Sequence, residues 1–256
     1  MKTAVVKCGG SVINELSDSF FQSMKEMLEN GYSIVFVHGG GPEINEMLET
    51  FQVNSEFKNG LRVTSKEVLE VAELTLAGRT NRKLVRMLEQ HGLPAVGLHS
   101  SDSGLIEADF IDQENLGFVG DVTKVNSQLI DTLCSQGFLP VLTPIASGPD
   151  GLVLNVNADH AASAVANALK AERFLMVTDV DGVLHNGQLM EKLTEKEVKS
   201  LIDSGVIHGG MIPKVNSALK AFSEHVQHVH IVPGKKSFYK DGTWYGTEFT
   251  KEGVII

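Results

Sequence analysis

Short apolar runs alternate with stretches of helical period along the chain. Residues 4–6 (AVV) are too few for a helix and read as a strand. Phe20, Phe21, Met24, Met27 and Leu28 then recur at helical spacing, and Asn30-Gly31 closes that helix. Residues 33–37 (SIVFV) form a second strand, too apolar to be half exposed. HGGGP follows, with Pro42 where a first helical turn tolerates it. Ile44, Met47, Leu48 and Phe51 then give an i, i+3, i+4, i+7 stripe. Strand–helix–strand–glycine loop–helix is the pattern of a parallel sheet covered by helices.

Further on, a long helix is expected from Thr64-Ser65 to near Gly92, and a strand over 95–98. Between 105 and 122 short strand-like pieces are broken by Asp-Gln-Glu-Asn and by glycine, which reads as a β-hairpin excursion. Helix resumes over 127–135, strand over 138–143, and an alanine-rich helix over 158–169. A buried strand over 174–177, helices over 194–204 and 211–223, and a late strand over 229–232 complete the pass. No fixed-period repeat or low-complexity linker interrupts it. The expectation is one α/β domain over residues 1–256: an open, mainly parallel sheet sandwiched between helix layers. The alanine-rich helix would join an N-terminal lobe of about 1–170 to a C-terminal lobe of about 171–256.

Hydrophobic content of 42% and charged content of 21% are those of an ordinary water-soluble chain. A net charge of -10 argues against a nucleic-acid surface, because phosphate backbones are bound by Lys and Arg in bulk. It does not exclude a small anion, which needs only a few local cations and backbone N–H groups. Two cysteines without a C-x-x-C pair give neither a redox motif nor a zinc ribbon. Nothing resembles a signal peptide, and no apolar run approaches ~18 residues, so no spanning helix and a cytoplasmic location are expected.

Three glycine clusters change the picture: Gly9-Gly10, Gly39-Gly40-Gly41 and Gly209-Gly210. The first two follow strands and precede helices. Glycine there lets an anion approach N–H groups, and the next helix start adds partial positive charge. In parallel sheets this C-terminal strand edge is where ligands bind. One such pair can be a tight turn and nothing more; two at adjacent strand ends imply two anionic groups held close together. Neither G-x-x-x-x-G-K-[ST] nor G-x-G-x-x-G occurs, so a nucleotide would be held by another scheme.

Phosphoryl transfer asks mainly for positioning and for cations near the migrating group. Lys7 ends a strand beside Gly9-Gly10, and Lys214 lies in HGGMIPKVN near a helix start. Each alone reads as a solvated lysine; both beside glycine turns read as a pair. LNVNADHA supplies Asn155, Asn157 and Asp159 ahead of an apolar helix. Asn157 or Asp159 can cap that helix. In the functional reading Asp159 holds the two lysines and Asn155 binds substrate. Arg62 in NGLRVT has a planar fork suited to a carboxylate, and is otherwise a plain loop arginine. VTDVDGVL is a strand with an acid–glycine turn, too poor in ligands for a metal cage and better suited to bordering a nucleotide. The nine histidines show no H-E-x-x-H or similar metal spacing.

Taken together, VVKCGGS, VHGGGPEIN, NGLRVT, LNVNADHAA, VTDVDGVL and GGMIPKVNSA resemble the amino acid kinase family, in the family's order and over nearly the whole chain. NGLRVT and LNVNAD are most similar to its acetylglutamate-phosphorylating branch. The resemblance implies ATP-dependent phosphorylation of the γ-carboxylate of N-acetyl-L-glutamate, a step in arginine biosynthesis, with Mg²⁺ carried by the ATP phosphates. It implies Lys7 and Lys214 as transition-state cations with Asp159 as their organiser. Gly9 and Gly10 would hold the migrating phosphoryl group, and Gly40, Gly41, Arg62 and Asn155 the acetylglutamate. Asp179, Val180, Gly182, Val183, Leu184 and Met211 would border the nucleotide. Cys8 stands where a bulky aliphatic such as Leu is expected; it should turn away from Lys7 into the core, as packing and not as a reactive thiol. Arginine-inhibited members resemble longer chains with an extra N-terminal helix, so the expectation is a homodimer without arginine inhibition. Competing readings are a family member acting on glutamate, aspartate, carbamate or a nucleoside monophosphate, and a non-catalytic sensor on the same fold. Retention of both lysines speaks against the sensor.

Overall fold

The computed structural model describes residues 2–223 and 225–250. Eight strands form one twisted sheet: β1 (Lys2–Cys8), β2 (Tyr32–His38), β3 (Ala95–Leu98), β4 (Leu139–Leu142), β5 (Arg173–Thr178), β6 (Lys192–Thr194), β7 (His228–Pro233) and β8 (Thr247–Thr250). Their order is β6-β8-β7-β5-β1-β2-β4-β3. All neighbours are parallel except β7 and β8, so β6 and β8 run against the rest. The mainly parallel α/β sheet expected from the sequence is therefore present.

Strand alternation sorts the core onto two faces. Val5 of β1 joins Val35, Val37, Phe174 and Met176 under helices Ser127–Ser135, Ala158–Ala168, Glu195–Asp203 and Met211–Lys220. Ala4, Val6 and Cys8 face the other way, onto Asp18–Glu29 and Asn81–Gln90. In the first of those two helices Phe20, Phe21, Met24 and Met27 are buried, as their spacing predicts. Ser17 caps its start by accepting from Phe20 N–H. Lys7 shares the parity of Val5, so it points to the face that carries the Ala158–Ala168 helix.

Three expectations needed correction. The helix from Ser65 runs as Lys66–Glu73 and Asn81–Gln90, with a π-helical segment, Leu74–Thr80, between them. Sequence periodicity averages over such a bulge and cannot see it. The hairpin excursion is half of a closed four-stranded barrel, in which Ile106–Phe110 and Val119–Val125 are joined by Ile145–Ser147 and Val153–Val156. The last of these strands, VLNV, carries Asn155. Short β6 and β8 were not foreseen, since three or four residues show no period. Among the described residues, no helix is long and apolar enough to cross a membrane.

Candidate active site

The parallel register brings the ends of three strands together, with Cys8 beside both His38 and Val177. The first two glycine clusters leave from this edge and touch. A Cβ placed on Gly10 would lie 2.7 Å from Gly40 Cα and 2.9 Å from Gly40 N. Gly39 N–H donates to the Cys8 carbonyl at 2.8 Å, which ties one loop to the other. The two anion-binding turns predicted from sequence are thus in backbone contact, a proximity that only glycine permits.

Behind them, Lys7 Nζ lies 2.9 Å from Asp159 Oδ1. Asn157 settles the capping question: its Oδ1 accepts from Asp159 N–H at 2.8 Å and His160 N–H at 3.3 Å. Asp159 is therefore free of the cap, and among the described residues its Oδ1 has no partner apart from the ion pair with Lys7. Lys214 Nζ sits 2.6 Å from Asp179 Oδ1. That contact, first of all, holds the Asp179 carboxyl below the usual carboxylate range. The expectation that Asp159 organises both lysines is corrected: among the described residues each lysine has its own aspartate, because Lys7 leaves β1 beside the Ala158–Ala168 helix, whereas Lys214, on the Met211–Lys220 helix, meets the turn after β5. Lys7, Gly9, Asp159, Thr178, Asp179 and Lys214 share a cleft of about 250 Å³.

Of the other residues assigned to the nucleotide, Val180, Gly182, Val183, Leu184 and Met211 lie outside that lining. Val183 is a core residue at 1% exposure, so its side chain offers no open surface as a nucleotide border. Its N–H donates to Thr247 Oγ1, which anchors the turn to β8. Gly182 (φ +141) is packed against Thr247 and Leu189, and Leu184 is exposed on a small hairpin, Leu184–His185 with Gln188–Leu189. Met211 is half-buried at the start of its helix. Cys8 behaves as expected: it is fully buried, and burial pushes its thiol up to about 12.

A second cavity, of about 190 Å³, is lined by Gly39, Gly40, Gly41, Arg62 and Asn155. Arg62 belongs to a hairpin, Phe57–Lys58 with Leu61–Arg62, and is only 8% exposed. Its Nη2 donates to Asn45 Oδ1 at 2.7 Å, its Nη1 to Ser55 Oγ at 3.0 Å, and it lies over the Phe57 ring. Among the described residues no carboxylate pairs with it. Asn155 Nδ2 donates to Thr64 Oγ1 at 3.1 Å, and Thr64 Oγ1 donates to the Arg62 carbonyl at 2.8 Å. This relay joins NGLRVT to LNVNAD, and leaves Asn155 Oδ1 without a partner among the described residues.

Residues 2–233 match the sequence profile of the amino acid kinase family. The chain belongs to the amino acid kinase family. An acetylglutamate kinase of Geobacillus stearothermophilus is 51% identical over 256 residues, covering 100% of this chain and 99% of that protein. The crystal structure of smu.665 from Streptococcus mutans UA159 superposes with a TM-score of 0.83 at 37% identity, covering 97% of this chain and 98% of the other. Carbamate kinase from Giardia lamblia bound to AMP-PNP shares the fold, with a TM-score of 0.68 at 15% identity over 98% and 99% of the two chains.

In this amino acid kinase several site residues carried no sequence signal of their own. Asn45 stands in the quoted VHGGGPEIN stretch, and a polar side chain inside a helix was the only hint of a task. Ser55 gave none. Ser11 and Ser217 line the lysine cleft. Glu43 is 8% exposed, with Oε2 buried and without a hydrogen-bond partner among the described residues, and that oxygen would lie 3.0 Å from a Cβ on Gly10. It was legible as an acid in a helix first turn, not as a carboxylate pressed against the other loop.

Proposed function

We infer that the chain catalyses ATP-dependent phosphorylation of the γ-carboxylate of N-acetyl-L-glutamate, the reaction of arginine biosynthesis named for its acetylglutamate kinase relatives. The observation that carries this reading is the buried Arg62. A guanidinium stays charged at neutral pH, and an unpaired charge at 8% exposure is costly without a counter-ion. A ligand carboxylate in the adjoining cavity supplies one, in the fork geometry that Asn45 and Ser55 hold ready. Asn155 Oδ1, left unpartnered, accepts the acetamido N–H that free glutamate lacks. Gly40 and Gly41 meet the same ligand at the first turn of their helix.

The other carboxylate then faces Gly10 and the lysine cleft. An acceptor oxygen attacks the terminal phosphorus of ATP, the new O–P bond forms, the bridging P–O bond breaks, and ADP leaves. Lys7 and Lys214 face each other across this path and neutralise charge on the migrating group, while Gly9 and Gly10 turn N–H groups to it. Asp159 and Asp179 hold the lysines in place. The nucleotide lies toward the lobe of residues 171–256, the acceptor toward residues 1–170. Mg²⁺ would be carried by the ATP phosphates, where it offsets charge on the migrating group. The oligomer is a homodimer, to be read by light scattering as twice the chain mass.

ADP release is measured with N-acetylglutamate, glutamate, aspartate and carbamate as acceptors. Turnover with N-acetylglutamate far above the others is expected; no turnover with any acceptor would favour a sensor. Arg62→Ala should raise the KM for the preferred acceptor by about 10- to 100-fold, the loss of a charge-assisted pair, with a smaller change in kcat. A KM within threefold of the parent would remove Arg62 from the acceptor site.

A further inference from the structure

Beneath the Gly39–Gly41 loop lies a polar cluster that no step above uses. His38, the last residue of β2, is fully buried. Its Nδ1 is 2.9 Å from the Gly39 carbonyl, and its Nε2 is 3.1 Å from Asn81 Nδ2. Asn81 is also fully buried and begins the helix that follows the π-helical segment. Its Nδ2 donates to the Val141 carbonyl at 2.9 Å, and its Oδ1 accepts from Arg82.

These partners fix the protons from both ends. A carbonyl can only accept, so Nδ1 must carry hydrogen. Asn81 places its NH₂ on Val141 and its oxygen on Arg82, so its second N–H points at Nε2, which must accept. The ring is therefore neutral and of a single tautomer. Burial, chiefly, pushes its ionisation down to about 4, and Arg82 acts in the same direction. The other titratable group beside it is Cys8 on β1, a thiol that burial keeps neutral. No titratable side chain of β4 stands in the register beside it.

We propose that His38 and Asn81 are positioning residues for phosphoryl transfer: the Nδ1–H of a neutral imidazole holds the Gly39 carbonyl, and Asn81 enforces that tautomer from behind. Gly39 is thereby clamped at both ends, since its N–H donates to Cys8, the residue before the other glycine loop. The clamp sets the direction of the Gly40 peptide against Gly10, where the two loops touch. Sub-ångström placement matters at this point, because a 1 Å misplacement can cost about a hundredfold in rate. This inference rests on the loops serving the proposed transfer; the tautomer does not depend on which acceptor is used.

Histidine-selective ¹⁵N NMR of the unmodified protein tests the tautomer directly. The His38 ring should show a protonated Nδ1 and a bare Nε2, with no titration between about pH 5.5 and 8. A bare Nδ1, or titration in that window, overturns the proposal. Kinetics with the acceptor that turns over best then test the consequence. Asn81→Leu should lower kcat by about tenfold, one hydrogen bond's worth, with both KM values within about threefold. Asn81→Asp puts an acceptor opposite Nε2 and draws a second proton onto the ring. At low pH the imidazolium still holds Gly39. As pH rises and one proton leaves, the remaining one stays on Nε2 facing the new carboxylate, and the bond to Gly39 is lost. That variant should show a new ionisation in its kcat profile, falling as pH rises between about 6 and 8, where the parent is flat. A packing role alone would lower kcat equally at every pH, and that result counts against the proposal, as does parental kcat in Asn81→Leu. If either variant fails to fold, the NMR outcome decides.

Discussion

Adjacent glycines make the sharpest test of the site. Gly9 and Gly10 are indistinguishable in sequence, yet their surroundings differ. A Cβ on Gly9 meets Lys7 Nζ at 3.8 Å and Val12 Cγ2 at 3.9 Å, both ordinary contacts, and the backbone there (φ -65, ψ 142) suits any residue. On Gly10 it meets Gly40 Cα at 2.7 Å, Gly40 N at 2.9 Å and Glu43 Oε2 at 3.0 Å. Two of those atoms are backbone and cannot rotate away. Restoring ordinary contact, at 3.4 Å or more, requires the loops to part by at least about 0.7 Å. Such overpacking costs about 1–3 kcal/mol, or roughly 2–12 °C of Tm for a chain of this size. The same displacement moves apart the N–H groups of the two loops, proposed above to hold phosphoryl group and acceptor, which should cut kcat by up to about 100-fold. Gly9→Ala should leave Tm unchanged or slightly raised, because alanine narrows the unfolded ensemble. Its methyl enters the lysine cleft, so its penalty should appear in the KM for ATP. The assay is therefore a pair: Tm by calorimetry, and kcat with both KM values, for the two variants side by side. Equal Tm in Gly9→Ala and Gly10→Ala, or a Gly10→Ala enzyme within threefold of the parental kcat, would refute the argument that the loops are in obligatory contact.

Removing a cation from the lysine cleft should act on the reacting state more than on binding. Lys7→Ala and Lys214→Ala should each lower kcat by about 10²–10³-fold with smaller changes in KM, measured by ADP release; a near-normal kcat for Lys214→Ala would rule out its catalytic role. The second prediction concerns acid stability. His230 is 2% exposed, its Nε2 lies 2.8 Å from Arg173 Nη1, and burial pushes its ionisation down to about 3. Because the folded value lies below the unfolded 6.5, the unfolded chain takes up the proton first as pH falls. Stability contributed by the neutral ring is full above pH 6.5 and is lost progressively toward pH 3, about 2 kcal/mol of it by pH 5. His230→Gln, which retains an acceptor for Arg173, should shrink the fall in Tm between pH 7 and pH 5; an unchanged fall would refute the assignment.

Much of the site was legible before any fold was seen, and the reasons are local. Glycine pairs behind strands announce a close approach of some group to the backbone, because a missing Cβ leaves room for it. Val5, Lys7 and the apolar run around them fix a strand whose lysine and cysteine must face opposite ways, and they do. Arg62 and Asn155 were singled out by residue type and setting. The sequence could not say that Asn155 reaches Arg62 through Thr64, since that relay joins a barrel strand to residues some ninety positions earlier in the chain.

What the sequence by itself determined is the alternation of strands and helices, the faces they bury, and the chemistry available at the strand ends. Those follow from side-chain period and backbone freedom, both properties of neighbours along the chain. Only the tertiary structure decided which acid serves which lysine, that Glu43 presses on Gly10, and that His38 and Asn81 hold Gly39 from behind. The acid–lysine pairs, Glu43 against Gly10 and Asn81 against His38 are contacts between residues far apart in sequence, set by sheet order and by the π-helical turn at Leu74–Thr80. Periodicity carries no information about such pairings, because the energy that selects them appears only when separate elements pack.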